Sequence, residues 1–133
     1  MTITPEQDAY LREHRMAVLA TGRKDGSPQI STINYHFDGA DIVISVTSDR
    51  AKWVNTVRQP RVAMLVLDGR KQLILYGTVE GVADDPGRIE LTKRLRASMG
   101  REPDGDDAAL SAQLDEAKRV ILRITPDKVL IND

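Results

Sequence analysis

There is no cysteine among the 133 residues. That excludes disulfides, cysteine nucleophiles and thiolate metal sites. Histidine is almost as scarce, with only His14 and His36. Neither has a partner at metal-ligand spacing, and no serine sits in a nucleophile-elbow pattern for either to activate. His14 reads as the end of the first helix, where an imidazole is favourable. Aromatics make up 4%. No Walker-type or dinucleotide-type glycine loop is present. No apolar run approaches the ~20 residues that span a bilayer. Charge of one sign is also lacking: the net charge is -1 and the pI ≈ 6.1, which argues against a general nucleic-acid binder. Asp84-Asp85 and Asp106-Asp107 read as helix-start charges on solvated loops, not as a glycosidase carboxylate pair. The polar, acidic start, MTITPEQD, does not have the form of a signal peptide, so a soluble cytoplasmic protein is expected.

What is present suits one globular domain over residues 1–133, with a hydrophobic share of 41%. Thr4-Pro5-Glu6-Gln7 is a capping-box helix start, and a helix to about Glu13 follows. Met16–Thr21 reads as a buried strand, and Lys24-Asp25-Gly26-Ser27-Pro28 as a tight turn. Gln29–Phe37 and Ile42–Thr47 are the next two strands. A short helix, Ala51–Arg58, stops at Pro60. Val62–Leu67 is apolar on both faces, the pattern of a strand covered on both sides. Leu73–Ala83 is a long strand in which Gly77 and Gly81 suggest bends. A helix opened by Asp85-Pro86 carries Leu91, Leu95 and Met99, a polar loop covers 100–107, and a second helix spans Ala108–Lys118. Strands 120–125 and 129–131 close the chain around Pro126-Asp127. About seven strands joined by hairpins predict a mainly β protein, a small antiparallel barrel with helices.

The densest polar chemistry is Thr47-Ser48-Asp49-Arg50-Ala51-Lys52. Two hydroxyls and two cations sit where a strand ends and a helix begins. Free helix N-terminal amides, hydroxyl donors and fixed positive charge favour a phosphate. A plainer reading stays open: Ser48 or Asp49 caps the helix while Arg50 and Lys52 are solvated. The strand Gln29-Ile30-Ser31-Thr32-Ile33-Asn34-Tyr35 carries amides and hydroxyls on both faces. Polar groups on a buried strand need partners, and a heteroaromatic ring edge is one. Trp53, Tyr35 and Tyr76 are aromatic types found more often in cores and interfaces than on cofactors.

Several segments occur in an order that resembles a known family: Val18-Leu19-Ala20-Thr21, Asp25-Gly26-Ser27-Pro28-Gln29, Tyr35-His36-Phe37-Asp38, Arg50-Ala51-Lys52 with Asn55, Pro60-Arg61-Val62-Ala63 and Tyr76-Gly77-Thr78-Val79-Glu80-Gly81. Together they resemble the pyridoxamine 5'-phosphate oxidase-like, FMN-binding split-barrel superfamily. Within it the chain is most similar to the small actinobacterial flavin or deazaflavin oxidoreductases, over about residues 10 to 131. The resemblance implies a six- or seven-stranded antiparallel split barrel and a homodimer with cofactor sites at the subunit interface. It implies that Arg50 and Lys52 hold the cofactor phosphate, that Thr47 and Ser48 lie beside it, and that Gln29, Ser31 and Thr32 meet the ring. Trp53 and Tyr76 are further carry-overs. The implied activity is hydride transfer between coenzyme F420 and a small conjugated organic substrate. The alternatives are an FMN-binding oxidoreductase and a non-catalytic flavin or F420 carrier. No general acid stands out; Tyr35, Tyr76 or solvent is the expected proton donor. Arg58, Arg61, Arg70 and Lys71 lie beyond the turn, and two readings stay open for them: a basic groove for the acidic deazaflavin tail, or ordinary solvated charge. The chain lacks the long C-terminal segment with an Arg-x-His pair that the pyridoxamine phosphate oxidases proper use. No metal, nucleic acid or membrane partner is expected.

Overall fold

The computed structural model describes residues 2–102 and 105–132. Residues 103 and 104 of the expected polar loop, and the first and last residues of the expected domain, lie outside the described residues. The first helix, α1 (Pro5–Glu13), starts as its sequence predicts. Gln7 N donates to Thr4 Oγ1 at 3.2 Å, and Thr4 N donates to Gln7 Oε1 at 3.0 Å. Each bond satisfies an amide that the helix start leaves open.

Seven strands follow: β1 (Met16–Gly22), β2 (Pro28–Asn34), β3 (His36–Phe37), β4 (Ile42–Thr47), β5 (Arg61–Asp68), β6 (Lys71–Val82) and β7 (Arg119–Asn132). They form one antiparallel sheet in the order β2-β1-β5-β6-β7-β4-β3. Three further helices intervene: α2 (Ala51–Arg58), α3 (Gly87–Ser98) and α4 (Asp107–Glu116). The sheet curls into a half-barrel around Leu19, Ile44, Met64, Leu75 and Ile124, with Leu11 of α1 in the same core. Burying such side chains contributes roughly 1.5–3 kcal/mol each.

The strand expected over Gln29–Phe37 breaks at Tyr35. Its first part pairs with β1, Met16 opposite Asn34, and its last two residues pair with β4, His36 opposite Val43. One straight segment cannot ladder with both, because β2 and β3 are the opposite edges of the sheet. The chain crosses between edges at Tyr35, whose ring turns inward and whose hydroxyl donates to Leu11 O at 2.8 Å. The two closing strands expected around Pro126 are one strand, β7. Pro126 lies opposite Gly77, where the register with β6 shifts. The bulge accommodates a residue that has no N–H for the ladder. Gly77 is required there, since a Cβ would stand 2.5 Å from Thr125 O. The strand count therefore agrees with the expectation only because one segment splits and two merge.

Val62, Met64 and Val66 face the core, but among the described residues the other face of β5 is only half-buried to exposed. The pattern that predicts burial on both sides is buried on one. Helices α3 and α4 pack on the outer side of β4 and β7 through Val43, Leu91 and Ile121, with Ile89, Leu110 and Leu114 beneath them. Asp106 caps α4, accepting from Ala109 N at 2.8 Å. Asp85 is not a solvated helix-start charge; it belongs to an ion cluster around Arg88.

Candidate functional site

The turn from β4 into α2 is held by its backbone. Ser48 N donates to Lys118 O at 2.9 Å, and Arg50 N donates to Thr47 O at 3.0 Å. The N-cap of α2 is Arg50, and no side chain caps the helix. The capping reading of Ser48 or Asp49 is therefore not what the chain adopts, and the first-turn amides point to whatever lies ahead of them. Thr47 Oγ1 is buried with no hydrogen-bond partner, and so is Ser31 Oγ. The Asp49 carboxyl is held below its ordinary range mainly by the nearby Thr47 hydroxyl, yet the two do not reach ordinary hydrogen-bond geometry. A buried polar atom without a partner costs about 1–3 kcal/mol, a cost the chain leaves unmet at both hydroxyls.

Beside this turn is a cleft of about 460 Å³ between the end of β2, β4, the start of α2 and α3. Four cations reach it: Lys52 from α2, Arg96 from α3, Arg101 just beyond α3, and Arg119 at the start of β7. Thr32, Asn34, Ser45 and Thr92 add hydroxyls and an amide. Ile33 and Leu95 supply apolar wall. Among the described residues no carboxylate lines it. Burial, followed by the charges of Arg50 and Arg119, pulls the Lys52 ammonium below its ordinary pKa. Burial, followed by Arg101 and Arg119, does the same for Arg96. The arrangement is a concave, electropositive pocket suited to an anion.

The site residues expected from sequence divide. Thr32 and Lys52 line the cleft. Thr47 shares the outward face of β4 with Ser45 and lies opposite Arg119 in the β4–β7 ladder. Ser48 is half-buried in the turn, and Arg50 is exposed at its tip. Gln29 points inward and its amide is engaged: Asn55 Nδ2 donates to Thr21 Oγ1 at 3.1 Å, and Thr21 Oγ1 donates to Gln29 Oε1 at 3.0 Å. That chain ties β2 through β1 to α2. Trp53 packs under α2 against Gly81, where a Cβ would stand 2.8 Å from the indole. Tyr76 is on the outer face of β6, away from the cleft. The buried Tyr35 hydroxyl has its pKa raised by desolvation and is bonded to Leu11. Neither tyrosine reaches the cleft as a proton donor.

None of Arg58, Arg61, Arg70 and Lys71 lines the cleft, and three of them are engaged elsewhere. Arg61 pairs with Asp127, Lys71 pairs with Glu6, and Arg58 donates to Gly22 O. The cations that do gather are Arg96, Arg101 and Arg119, which the sequence pattern does not set apart. A weak signal existed: Arg96 flanks Leu95 on a helix whose leucine stripe is buried. Arg119 carried none, because its position follows from strand register.

A half-barrel of seven antiparallel strands, with a polar turn feeding a short helix beside an electropositive cleft, is a split barrel. The chain belongs to the pyridoxamine 5'-phosphate oxidase family, whose model matches residues 3–133. Among solved structures, the conserved hypothetical protein Rv2991 from Mycobacterium tuberculosis superposes with a TM-score of 0.80 at 24% identity, covering 100% of this chain and 86% of that one. An F420 reductase superposes at 0.72 with 28% identity, covering 96% and 98%. The heme storage protein HutZ from Vibrio cholerae has the same fold at 0.69 and 17% identity, covering 98% and 95%. Among the described residues, no helix is long and apolar enough to cross a membrane.

Proposed function

We propose that the chain is a cytoplasmic oxidoreductase that holds coenzyme F420 and works as a homodimer on a small conjugated organic substrate. The observation that carries this is the unsatisfied polar rim of the β4–α2 turn. An uncapped helix start, the unpartnered Thr47 hydroxyl and two cations converge where a phosphate would be held. The 28% identity with an F420 reductase across nearly the whole chain supports the choice of cofactor. Arg50, Lys52, Thr47 and Ser48 would bind the phosphate. Ser31, Thr32 and the backbone at Gln29 would orient the ring. Tyr76 would reach a cofactor only where the outer faces of two copies meet. That face is apolar for a monomer: Ile30 is 66% exposed, Leu67 56% and Leu130 38%. When bound, the deazaflavin supplies the hydride, and the protein supplies binding and orientation.

Carriage without turnover is a second reading. One observation favours it: neither Tyr35 nor Tyr76 lines the cleft, so no tyrosine donates a proton there. The mass and absorbance of the ligand co-purified from a deazaflavin-making host test the cofactor, and FMN in its place would overturn the F420 assignment. Reoxidation of reduced F420 by a panel of enones and quinones, against a protein-free control, separates turnover from carriage.

A further inference from the structure

We propose that Arg96, Arg101 and Arg119 form a second anion station, so that the cleft takes a ligand bearing a carboxylate or phosphate in addition to the phosphate on the 50–52 turn. This rests on the reading of that turn as the phosphate anchor. A phosphate monoester carries roughly -1.5 to -2 charges at neutral pH. Arg50, Lys52 and the α2 amides already match it, which leaves three arginines over. Elsewhere this chain neutralises its partly buried cations. Arg88 meets Asp85 and Asp115, Lys93 meets Asp107, and Arg123 meets Asp41. Among the described residues no ion pair includes Lys52, Arg96, Arg101 or Arg119. Burial and mutual repulsion act on Lys52 and Arg96, and an anion relieves both. The planar fork of arginine pairs in bidentate fashion with either carboxylate or phosphate. Arg119 is also held in place, because its backbone oxygen accepts from Arg88 Nη1 at 3.3 Å. The ligand class is therefore an oligo-anion: a cofactor with an acidic tail in preference to one with a single phosphate.

Calorimetric titrations of Arg96→Gln, Arg101→Gln and Arg119→Gln test this with three probes: FMN, with one phosphate; F420, with glutamyl carboxylates beyond its phosphate; and tripolyphosphate, with no ring. Each variant is expected to bind F420 and tripolyphosphate about tenfold more weakly, with a shallower salt dependence, while FMN shifts by less than about twofold. Lys52→Ala is expected to weaken all three. If the arginine variants weaken FMN as much as F420, they belong to the single phosphate anchor and the second station is overturned. Unchanged binding of F420 and tripolyphosphate overturns it as well. If the parent protein binds neither F420 nor FMN, the proposed function falls. Tripolyphosphate still decides the station: its loss in the variants supports it, and no binding by the parent overturns it. Arg101→Gln, exposed beyond α3, keeps the test readable if Arg119→Gln fails to fold.

Discussion

Arg88 donates to the backbone oxygen of Arg119, so the buried clamp between α3 and α4 also fixes the residue that opens β7 onto the cleft. The Arg88 side chain is 6% exposed and bridges Asp85 and Asp115, with Ser111 Oγ as a further acceptor at 3.2 Å. Removing one partner of a buried pair costs about 3–5 kcal/mol, and the exposure of Asp115 lowers that here. Arg88→Met is expected to destabilise the protein by about 2–4 kcal/mol in denaturant unfolding. Loss below about 1 kcal/mol would mean that the clamp is peripheral to folding.

The same clamp has a pH signature. Hydrogen bonds from Arg88 and then Ser111 hold the Asp85 carboxyl below its ordinary value of 3.8. The folded state then binds fewer protons than the unfolded one. The stabilisation is complete above the ordinary value and is lost as pH falls through the lowered one. Stability measured from neutral pH down to about pH 2 should fall less steeply in Arg88→Met than in the parent. Parallel curves would refute the coupling.

Two glycines hold close contacts of different hardness. A Cβ at Gly81 meets the Trp53 ring at 2.8 Å, and one at Gly77 meets the Thr125 backbone oxygen at 2.5 Å. Overpacking costs about 1–3 kcal/mol where side chains can yield, and more where backbone must move. Gly77→Ala is therefore expected to lower the melting temperature more than Gly81→Ala. Gly81→Ala should instead shift Trp53 fluorescence as α2 is pushed outward. The reverse ranking would show that the bulge at Pro126 is pliable.

At the proposed anchor, Lys52→Ala and Arg50→Ala are each expected to weaken cofactor binding by roughly 10- to 100-fold at a fixed salt concentration. Arg12→Ala on α1 is the control. Stability of the ligand-free protein should hold in Lys52→Ala, because the lowered Lys52 pKa marks a charge that the fold disfavours. The sign follows from proton binding. Between the lowered folded value and the ordinary 10.5, the unfolded chain binds more protons, so the parent gains stability as pH rises through that window, and Lys52→Ala should not. Parental affinity in both anchor variants would place the phosphate elsewhere.

The proposed dimer uses the outer face of β1, β2, β5 and β6. Val18 lies between Thr32 and Leu65, and Leu65 lies opposite Ile74. Light scattering should find a dimer at micromolar concentration, and Ile30→Lys with Leu67→Lys should yield a folded monomer. A monomeric parent would remove the interface and, with it, any role for Tyr76.

Much of the fold was legible along the chain. The Thr4–Gln7 box, the turn around Asp25-Gly26 and the alternation over Ile42–Thr47 are local signals, each written in three to six residues. What the chain does not show is non-local. Nothing near Tyr35 says that its neighbours pair with opposite edges of the sheet. Nothing near Pro126 says that Gly77, far away in sequence, makes room for it.

The candidate site divides the same way. Turn chemistry placed Thr47, Ser48, Arg50 and Lys52 together, because their juxtaposition is covalent and needs no folding. Which distant cations face the cleft with Lys52 is not written along the chain. Arg61 and Lys71 look free in sequence but find Asp127 and Glu6 across the surface. Arg96, Arg101 and Arg119 look like ordinary surface charge until α3 packs on β4 and the β4–β7 register sets Arg119 opposite Thr47. Which charges are neutralised and which are left facing a cleft is a matter of distance in space, and strand register and helix packing set that distance.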